Sequence, residues 1–220
     1  DIMSSDWSSD VCSSDLGYFV AKYNNDGTNI WVSTIKANLE SAFNEAHSSI
    51  SVDESNSCMI AGNFRDTAKF QPQFDTQFPM VSNGKTDMFI ARYSSSGDLT
   101  YRGGFGSQEI DLVYPKSSKI GKDRNFYVTG TFNGECDFYP GLGEITEQNL
   151  DDKADLFIAS YTRTGIYNWV KTLDCSGNQL HPKSIEFDSQ SNLIITGIFR
   201  GQINLDPKGD KIFKSSSSLN

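Results

Sequence analysis

The chain has 220 residues, of which 37% are hydrophobic and 21% are charged, a balance typical of a soluble globular protein with one or two domains. Its 28 acidic and 19 basic residues give a formal net charge of -9, which argues against nucleic-acid binding, because an acidic surface repels phosphates. No apolar run approaches the roughly 20 residues that cross a bilayer, so we expect no membrane insertion.

The chain opens with an unusual leader, residues 1–16. Its apolar residues show neither helical nor strand periodicity. Within it, residues 6–16, DWSSDVCSSDL, resemble the translation of a common short-read sequencing adapter. We therefore predict that 1–16 is a non-native, disordered leader. The natural part is then 17–220, and because its own start was cut, a missing secretory signal says nothing about location.

An internal repeat of about 68 residues fills the rest of the chain. One repeated block is an apolar run that ends in a turn glycine. Its three copies are YFVAKYNNDG, MFIARYSSSG and LFIASYTRTG, with Phe19, Phe89 and Phe157 in equivalent positions. An aromatic residue stands four positions after each turn glycine: Trp31, Tyr101 and Trp169. The predicted repeat units are approximately 17–86, 87–154 and 155–220.

A second repeated block carries one glycine, followed two residues later by phenylalanine. Its copies are MIAGNF, YVTGTF and IITGIF, with Gly62, Gly130 and Gly197 in equivalent positions. Both blocks are rich in β-branched and aromatic residues and end at polar turns, which predicts β-strands. Each unit should contain at least four strands, with a polar connection such as 71–85 long enough for an extra hairpin.

The period and the predominance of strands favour an all-β fold, a partial β-propeller of about three four-stranded antiparallel blades with insertions and an unclosed ring. A four-stranded sheet buries only one apolar layer and needs copies of itself to cover its faces. Radial stacking of such sheets gives a propeller. A row of small β-sandwiches is the alternative, but 68 residues is short against the roughly 100 of an immunoglobulin-like unit.

The repeat resembles the SBBP type of β-propeller repeat of secreted bacterial proteins. The resemblance is carried by an Asp, an apolar run, Tyr, a Gly turn and then an aromatic residue, as in 87–101 and 155–169. A Phe-x-Gly stretch that leads to a proline loop continues it at 125–141 and 192–207. The resemblance implies a propeller fold and an extracellular or cell-surface location.

Propellers close with about four to eight blades, so three units cannot form a ring. We therefore expect that 17–220 is a fragment whose outer sheets expose apolar faces, and that these faces pack against further blades.

Residues suited to catalysis are scarce. The two histidines, His47 and His181, fall at different repeat positions, which predicts surface loop residues and no histidine metal cluster. Three cysteines outside the leader also fall at unmatched positions, so no disulfide framework or zinc spacing is predicted. We predict no catalytic residue and no bound cofactor.

Carboxylates beside the repeated proline offer one weak metal hypothesis. Asp137 and Asp206 stand there with backbone carbonyls that could help to hold Ca²⁺ through oxygen ligands. Turn formation is the alternative role for an aspartate before proline. Similarly, Asp87 and Asp155 are expected to cap a strand edge.

The sequence leaves three functions open. The first is a non-catalytic extracellular module that binds a protein or a glycan, favoured by the regular repeat and the missing catalytic residues. The second is a fragment of a polysaccharide hydrolase or lyase whose acidic residues come from other blades. The third is a structural spacer.

Overall fold

The computed structural model describes residues 17–38, 46–70, 79–106, 109–140, 143–149, 153–177, 179–206 and 213–215. The adapter-like leader, 1–16, lies outside this described part, and its non-native origin remains a prediction. Every regular element among the described residues is a β-strand. The all-β class is therefore confirmed.

The described strands vary in length from two residues in β5 to 13 residues in β4. In chain order they are β1 (Gly17–Tyr23), β2 (Asn29–Asn38), β3 (Ser48–Val52), β4 (Cys58–Phe70), β5 (Met80–Val81), β6 (Gly84–Tyr93), β7 (Leu99–Phe105), β8 (Glu109–Ile120), β9 (Phe126–Asn133), β10 (Glu135–Asp137), β11 (Thr146–Gln148), β12 (Asp155–Tyr161), β13 (Tyr167–Leu173), β14 (Gln179–Phe187), β15 (Leu193–Arg200), β16 (Gln202–Asn204) and β17 (Phe213–Ser215).

Two complete four-stranded antiparallel sheets form the middle of the molecule. The first has the order β3-β4-β6-β7 and the second the order β8-β9-β12-β13. Half sheets flank them, β1-β2 on one side and β14-β15 on the other. The predicted partial propeller with an open ring is confirmed, as two whole blades and two half blades within the described residues. The first strand of each complete sheet, β3 or β8, directly precedes the strand that carries the repeated glycine. The predicted sequence units begin instead at the third strand of a sheet, so each sheet takes strands from two units.

The long period comes from a hairpin inserted between the second and third strands of each sheet. The hairpins are β10-β11, β16-β17 and the pairing of the end of β4 with β5. Each hairpin also pairs with the last strand of the preceding sheet or with a residue just after that strand. The paired residues are Ala37 with Ala68, Gly106 with Asp137, and Cys175 with Ile203. The predicted insertions are thus confirmed, and they join neighbouring blades through backbone hydrogen bonds.

The repeated glycines make room for the repeated phenylalanines. Gly62 pairs with Phe89 across β4 and β6, and Gly130 pairs with Phe157 across β9 and β12. A Cβ added to Gly62 would lie 2.5 Å from the Phe89 ring, and one added to Gly130 would lie 2.1 Å from the Tyr114 carbonyl oxygen and 2.7 Å from the Phe157 ring. Because real Cβ atoms never approach so closely, each ring requires the glycine opposite it.

Two further phenylalanines enclose each of these rings, so each complete sheet has a trio of buried aromatic residues. In the first sheet the ring centroid of Phe89 lies 6.3 Å from that of Phe64 and 5.2 Å from that of Phe70. In the second, Phe157 lies 6.5 Å from Phe132 and 5.1 Å from Phe138. All six rings are at most 1% exposed. These trios are the repeated core that the sequence spacing predicts.

A second aromatic contact joins one sheet to the next. The indole of Trp31 covers Gly97, the turn glycine of the following sheet, and its Nε1 donates to the carbonyl of Ser95 at 3.0 Å. Tyr101 covers Gly165 in the same way, with its hydroxyl donating to the Gly165 carbonyl at 3.2 Å. Both glycines have φ near +90°, a conformation that a residue with a side chain rarely adopts.

The expected equivalence of the three repeated phenylalanines is wrong for Phe19. Its side chain is 75% exposed, whereas Phe89 and Phe157 are fully buried. The physical reason is that β1 pairs only with β2 among the described strands, so no glycine-bearing strand lies opposite Phe19. Ile198 on β15, at the other end of the described fold, is 59% exposed. The prediction that the outer sheets expose apolar faces is confirmed.

Truncating one ring of an aromatic trio should destabilise the fold strongly. Phe157→Ala removes a fully buried ring, and we expect a loss of about 3–5 kcal/mol in the free energy of unfolding. The control is Ile166→Ala, which shortens a side chain that is 62% exposed and should change stability by about 0.5 kcal/mol at most. Urea denaturation followed by circular dichroism measures both. Similar losses for the two variants would contradict the assigned core.

Candidate functional site

The first strands of successive sheets, β3, β8 and β14, lie side by side and form the inner wall of the open ring. The hydroxyl of Ser49 on β3 donates to that of Ser118 on β8 at 2.8 Å. Two residues further along both strands, the amide of Ile120 donates to the Ser51 hydroxyl at 2.8 Å. Between β8 and β14, Lys119 forms a 2.8 Å ion pair with Glu186. Polar contacts therefore hold the inner strands together.

Four basic side chains lie near one another on this inner wall, and we call them the cationic cluster: His47, Lys116, His181 and Lys183. Lys116 Nζ lies 2.5 Å from His47 Nε2. Both groups contact the Tyr114 ring, His47 edge-on with centroids 5.5 Å apart and Lys116 over the ring face at 5.3 Å. His181 and Lys183 lie close enough for their charges to affect His47. Three different sheets thus contribute to one site.

Local strand irregularities direct the two lysines into the cluster. In β8 the register with β9 shifts between Pro115 and Ser117, which leaves Lys116 as an extra residue. The same shift occurs in β14 between Pro182 and Ser184, at Lys183. Proline has no amide to donate to the ladder, and a bulge redirects the side chain at the extra position. A Pro-Lys dipeptide in two successive repeats therefore produces the two lysines of the site.

Two members of the cationic cluster, His47 and Lys116, have strongly lowered pKa values. Burial, with the charges of Lys116, His181 and Lys183, lowers the pKa of His47 to about 4. Burial and the charge of Lys183 lower the pKa of Lys116 to about 8. At pH 7 the His47 ring is therefore neutral and accepts a hydrogen bond from the charged Lys116. This arrangement leaves His47 Nδ1 as the protonated ring nitrogen, available to donate.

A cleft of about 240 Å³ adjoins the cluster. Tyr114 forms part of its wall, together with Phe132 and Lys153. The cluster supplies several donors and positive charge, and the cleft supplies a partly apolar surface beside them. Such a combination suits an anionic group attached to a larger molecule.

The sequence prediction for the histidines was incomplete. His47 is a half-buried residue just before β3, whereas His181 is exposed and lies within β14, so the prediction of a loop position is wrong for His181. The different repeat positions of the two residues also hid their proximity. The one available signal was the repeated Pro-Lys dipeptide.

The carboxylates predicted beside the repeated proline lie apart from the cationic cluster. Asp137 Oδ1 accepts hydrogen bonds from the amides of Tyr139 and Ile145, both at 2.9 Å. The amide of Asp206 donates to Asn204 Oδ1 at 3.2 Å. These contacts fit turn formation, and the Ca²⁺ hypothesis for Asp137 and Asp206 remains a prediction. In the part of the chain that the structure describes, no three His, Cys, Asp or Glu side chains are grouped as metal ligands.

The capping role expected for Asp87 and Asp155 is confirmed. Asp155 Oδ1 accepts a hydrogen bond from the amide of Cys175 at 2.9 Å, beyond the end of β13. Asp87 Oδ2 accepts one from the amide of Asn83 at 2.8 Å, just before β6. Both carboxylates therefore bind backbone amides at the end of a strand.

Among the described strands and loops there is no helix of the length and apolarity needed to span a membrane.

No protein-family model matches the chain. Over 174 residues the chain is 25% identical to an uncharacterised WD repeat-containing protein of Acanthamoeba polyphaga mimivirus. The match covers 70% of this chain but only 12% of that relative. The similarity is consistent with the partial propeller.

The charge state of His47 should make the stability of the fold depend on pH. Its pKa is about 4 when folded and 6.5 when unfolded, so between these values the unfolded chain binds more protons. Stability should therefore fall as the pH is lowered from 6.5 to 4. In His47→Gln this loss should be smaller, whereas the control His181→Gln should retain most of it. Thermal unfolding midpoints across this range test the effect, and equal pH slopes for all three proteins would contradict it.

Proposed function

We propose that this chain is a non-catalytic propeller module that binds an acidic segment of a protein partner at the cationic cluster. The observation that carries the proposal is the contact of Lys116 with His47, with His181 and Lys183 near enough for their charges to act on His47, in a chain whose net charge is -9. Concentrated positive charge on an acidic protein suits an anionic ligand, because the cations repel one another when the site is empty. The WD-repeat relative supports a protein as the partner class.

The cluster offers a carboxylate several complementary contacts. The ammonium groups of Lys116 and Lys183 supply charged donors, and His47 Nδ1 supplies a neutral one. Burial and the charge of Lys183 lower the pKa of Lys116, and a bound carboxylate would offset that repulsion, so binding favours the charged lysine. Each charge-assisted hydrogen bond contributes about 1.5–3 kcal/mol. The cleft beside Tyr114 can take an apolar side chain next to the carboxylate in the partner sequence.

The finer identity of the module also belongs to this proposal. The resemblance to SBBP repeats supports a bacterial, extracellular or cell-surface protein. In such a setting an acidic polysaccharide is the competing ligand, because it carries the same carboxylate chemistry on a different chain. A binding experiment with both ligand types distinguishes the two.

Removing one lysine charge should weaken binding at the proposed site. We expect Lys116→Gln and Lys183→Gln each to raise the dissociation constant for a fluorescein-labelled polyglutamate peptide about tenfold or more, the equivalent of about 1.4 kcal/mol. The control Lys171→Gln removes an exposed charge from β13 and should change the constant less than about twofold. Fluorescence anisotropy at fixed ionic strength measures all three. Equal weakening by all three variants would point to non-specific attraction, and binding to polygalacturonate alone would replace the protein partner with a glycan.

Binding should also weaken in alkaline solution. Above a pH of about 8 the free Lys116 loses its proton and with it the charge that attracts the carboxylate. Lys116→Arg keeps its charge throughout this range, because the guanidinium titrates above about pH 12. We therefore expect the affinity of the unmodified protein for polyglutamate to fall between pH 7 and 9.5 and that of the arginine variant to stay nearly constant. Superimposed pH profiles would exclude Lys116 from the site.

A further inference from the structure

The amino group of Lys116 contacts an imidazole and an aromatic ring. Its Nζ lies 2.5 Å from His47 Nε2 and 5.3 Å from the centre of the Tyr114 ring. No ion pair joins Lys116 to an acidic residue in the part of the chain that the structure describes, whereas Lys119 on the same strand pairs with Glu186 at 2.8 Å. Because neither the imidazole nor the ring neutralises an ammonium as a carboxylate does, Lys116 releases its proton more easily than Lys119.

This environment makes Lys116 a better nucleophile than an ordinary lysine at neutral pH. Burial and the charge of Lys183 lower its pKa from 10.5 to about 8. At pH 7 roughly one Lys116 side chain in ten is then a neutral amine, a share about 300 times that of an ordinary lysine. Lower basicity weakens each neutral amine by about tenfold, if amines follow the slope known for thiols. The larger population outweighs this loss, and desolvation beside a second cation is a known way to activate lysine.

The strand bulge leaves this amine within reach of reactants. Lys116 is the extra residue between Pro115 and Ser117, so it stands outside the regular pairing of β8 with β9. Its side chain is only half-buried. The Tyr114 ring beneath it also lines the cleft of about 240 Å³. A small molecule held in this cleft therefore lies next to the amine.

The surrounding charges favour an anionic electrophile. Lys183 acts on Lys116 through its charge, and Lys153 stands on the wall of the cleft. Ammonium groups bind phosphate as point charges. A cation beside a reacting carbonyl also stabilises the oxyanion that forms when an amine attacks it. An acyl phosphate matches both features, because it joins an activated carbonyl group to an anionic phosphate.

We propose that Lys116 is an acylation site that takes its acyl group from an acyl phosphate. The lone pair of the neutral Nζ attacks the carbonyl carbon, and the C–N bond of an amide forms. The C–O bond to the phosphate breaks, and its electron pair leaves with the phosphate. The phosphate also takes the proton that Nζ loses and departs as hydrogen phosphate. The step thus needs no other reactant.

Acylation should switch off the ligand site, a consequence that rests on the proposed function. The amide carries no charge, so the modified Lys116 no longer attracts a carboxylate. Its acyl group also occupies space beside Tyr114. We expect the acylated chain to bind polyglutamate about tenfold more weakly or worse, as expected for Lys116→Gln.

Acetylation of the unmodified protein by acetyl phosphate at pH 7 tests the site. Mass spectrometry of proteolytic fragments gives the initial rate at each lysine. Lys116 should react about tenfold faster than Lys119, the matched control on the same strand, and this preference should vanish in denaturing urea. In Lys183→Gln, which lacks the neighbouring charge, Lys116 should react about threefold more slowly or less. Equal rates at Lys116 and Lys119 in the folded protein would overturn the proposal, whether or not the protein binds polyglutamate.

A second reagent tests the chemical class of the acyl donor. N-hydroxysuccinimidyl acetate carries no phosphate, so its preference for Lys116 over Lys119 should be smaller than that of acetyl phosphate. The same preference with both reagents would contradict recognition of the phosphate.

The anisotropy of labelled polyglutamate separates this proposal from the proposed function. Selective acetylation with an unchanged affinity for polyglutamate would contradict the ligand site and leave the acylation site in place. Binding of polyglutamate with indiscriminate acetylation would overturn the acylation site alone.

Discussion

The contact between a phenylalanine ring and the bare backbone of a glycine on the neighbouring strand organises this fold. Phe89 lies against Gly62 and Phe157 against Gly130, and in each place the ring occupies the volume that a side chain would need. Two more phenylalanines close around each ring. Because the contact joins the second and third strands, it fixes the register of the sheet and places a buried aromatic core between blades. The same contact explains why the ends of the described fold are apolar and open.

The inner wall follows from this arrangement. Sheets that stack through equivalent cores bring their first strands to equivalent depths, so residues about 68 positions apart in sequence become neighbours. Ser49 contacts Ser118 in this way, and Lys116 reaches His47. The fold itself thus concentrates charge at one place, although the chain as a whole is acidic. Burial, together with repulsion among the cations, lowers the pKa of His47 and of Lys116, so that the His47 ring is neutral at pH 7.

Much of the fold could be predicted from the sequence, because repeated side chains report repeated environments. The strands, the inserted hairpins and the recurrence of glycine and phenylalanine all follow from spacing. The spacing did not give the phase of the sheets, because each sheet takes strands from two sequence units. The spacing also predicted an environment for Phe19 equivalent to that of Phe89 and Phe157, because a sequence pattern does not show whether an opposing strand is present. The role of Asp87 and Asp155, which bind backbone amides at strand ends, was also predicted.

The cationic cluster was harder to predict for a related reason. Its members come from three sheets, its two histidines stand at unmatched repeat positions, and bulges after Pro115 and Pro182 set the direction of the lysines. A bulge moves a side chain without changing the average spacing of a strand. The histidines therefore looked unrelated in sequence although they contribute to one site.

A double-mutant cycle on Gly62 and Phe89 tests the central contact most directly. The three atoms nearest to a Cβ at Gly62 all belong to the Phe89 ring, so the cost of Gly62→Ala depends on that ring. The free energies of unfolding of Gly62→Ala, Phe89→Leu and the double variant should show a coupling of about 1 kcal/mol or more, with the alanine tolerated better beside leucine. Strictly additive losses would mean that glycine and phenylalanine recur for separate reasons, and would contradict this account of the fold.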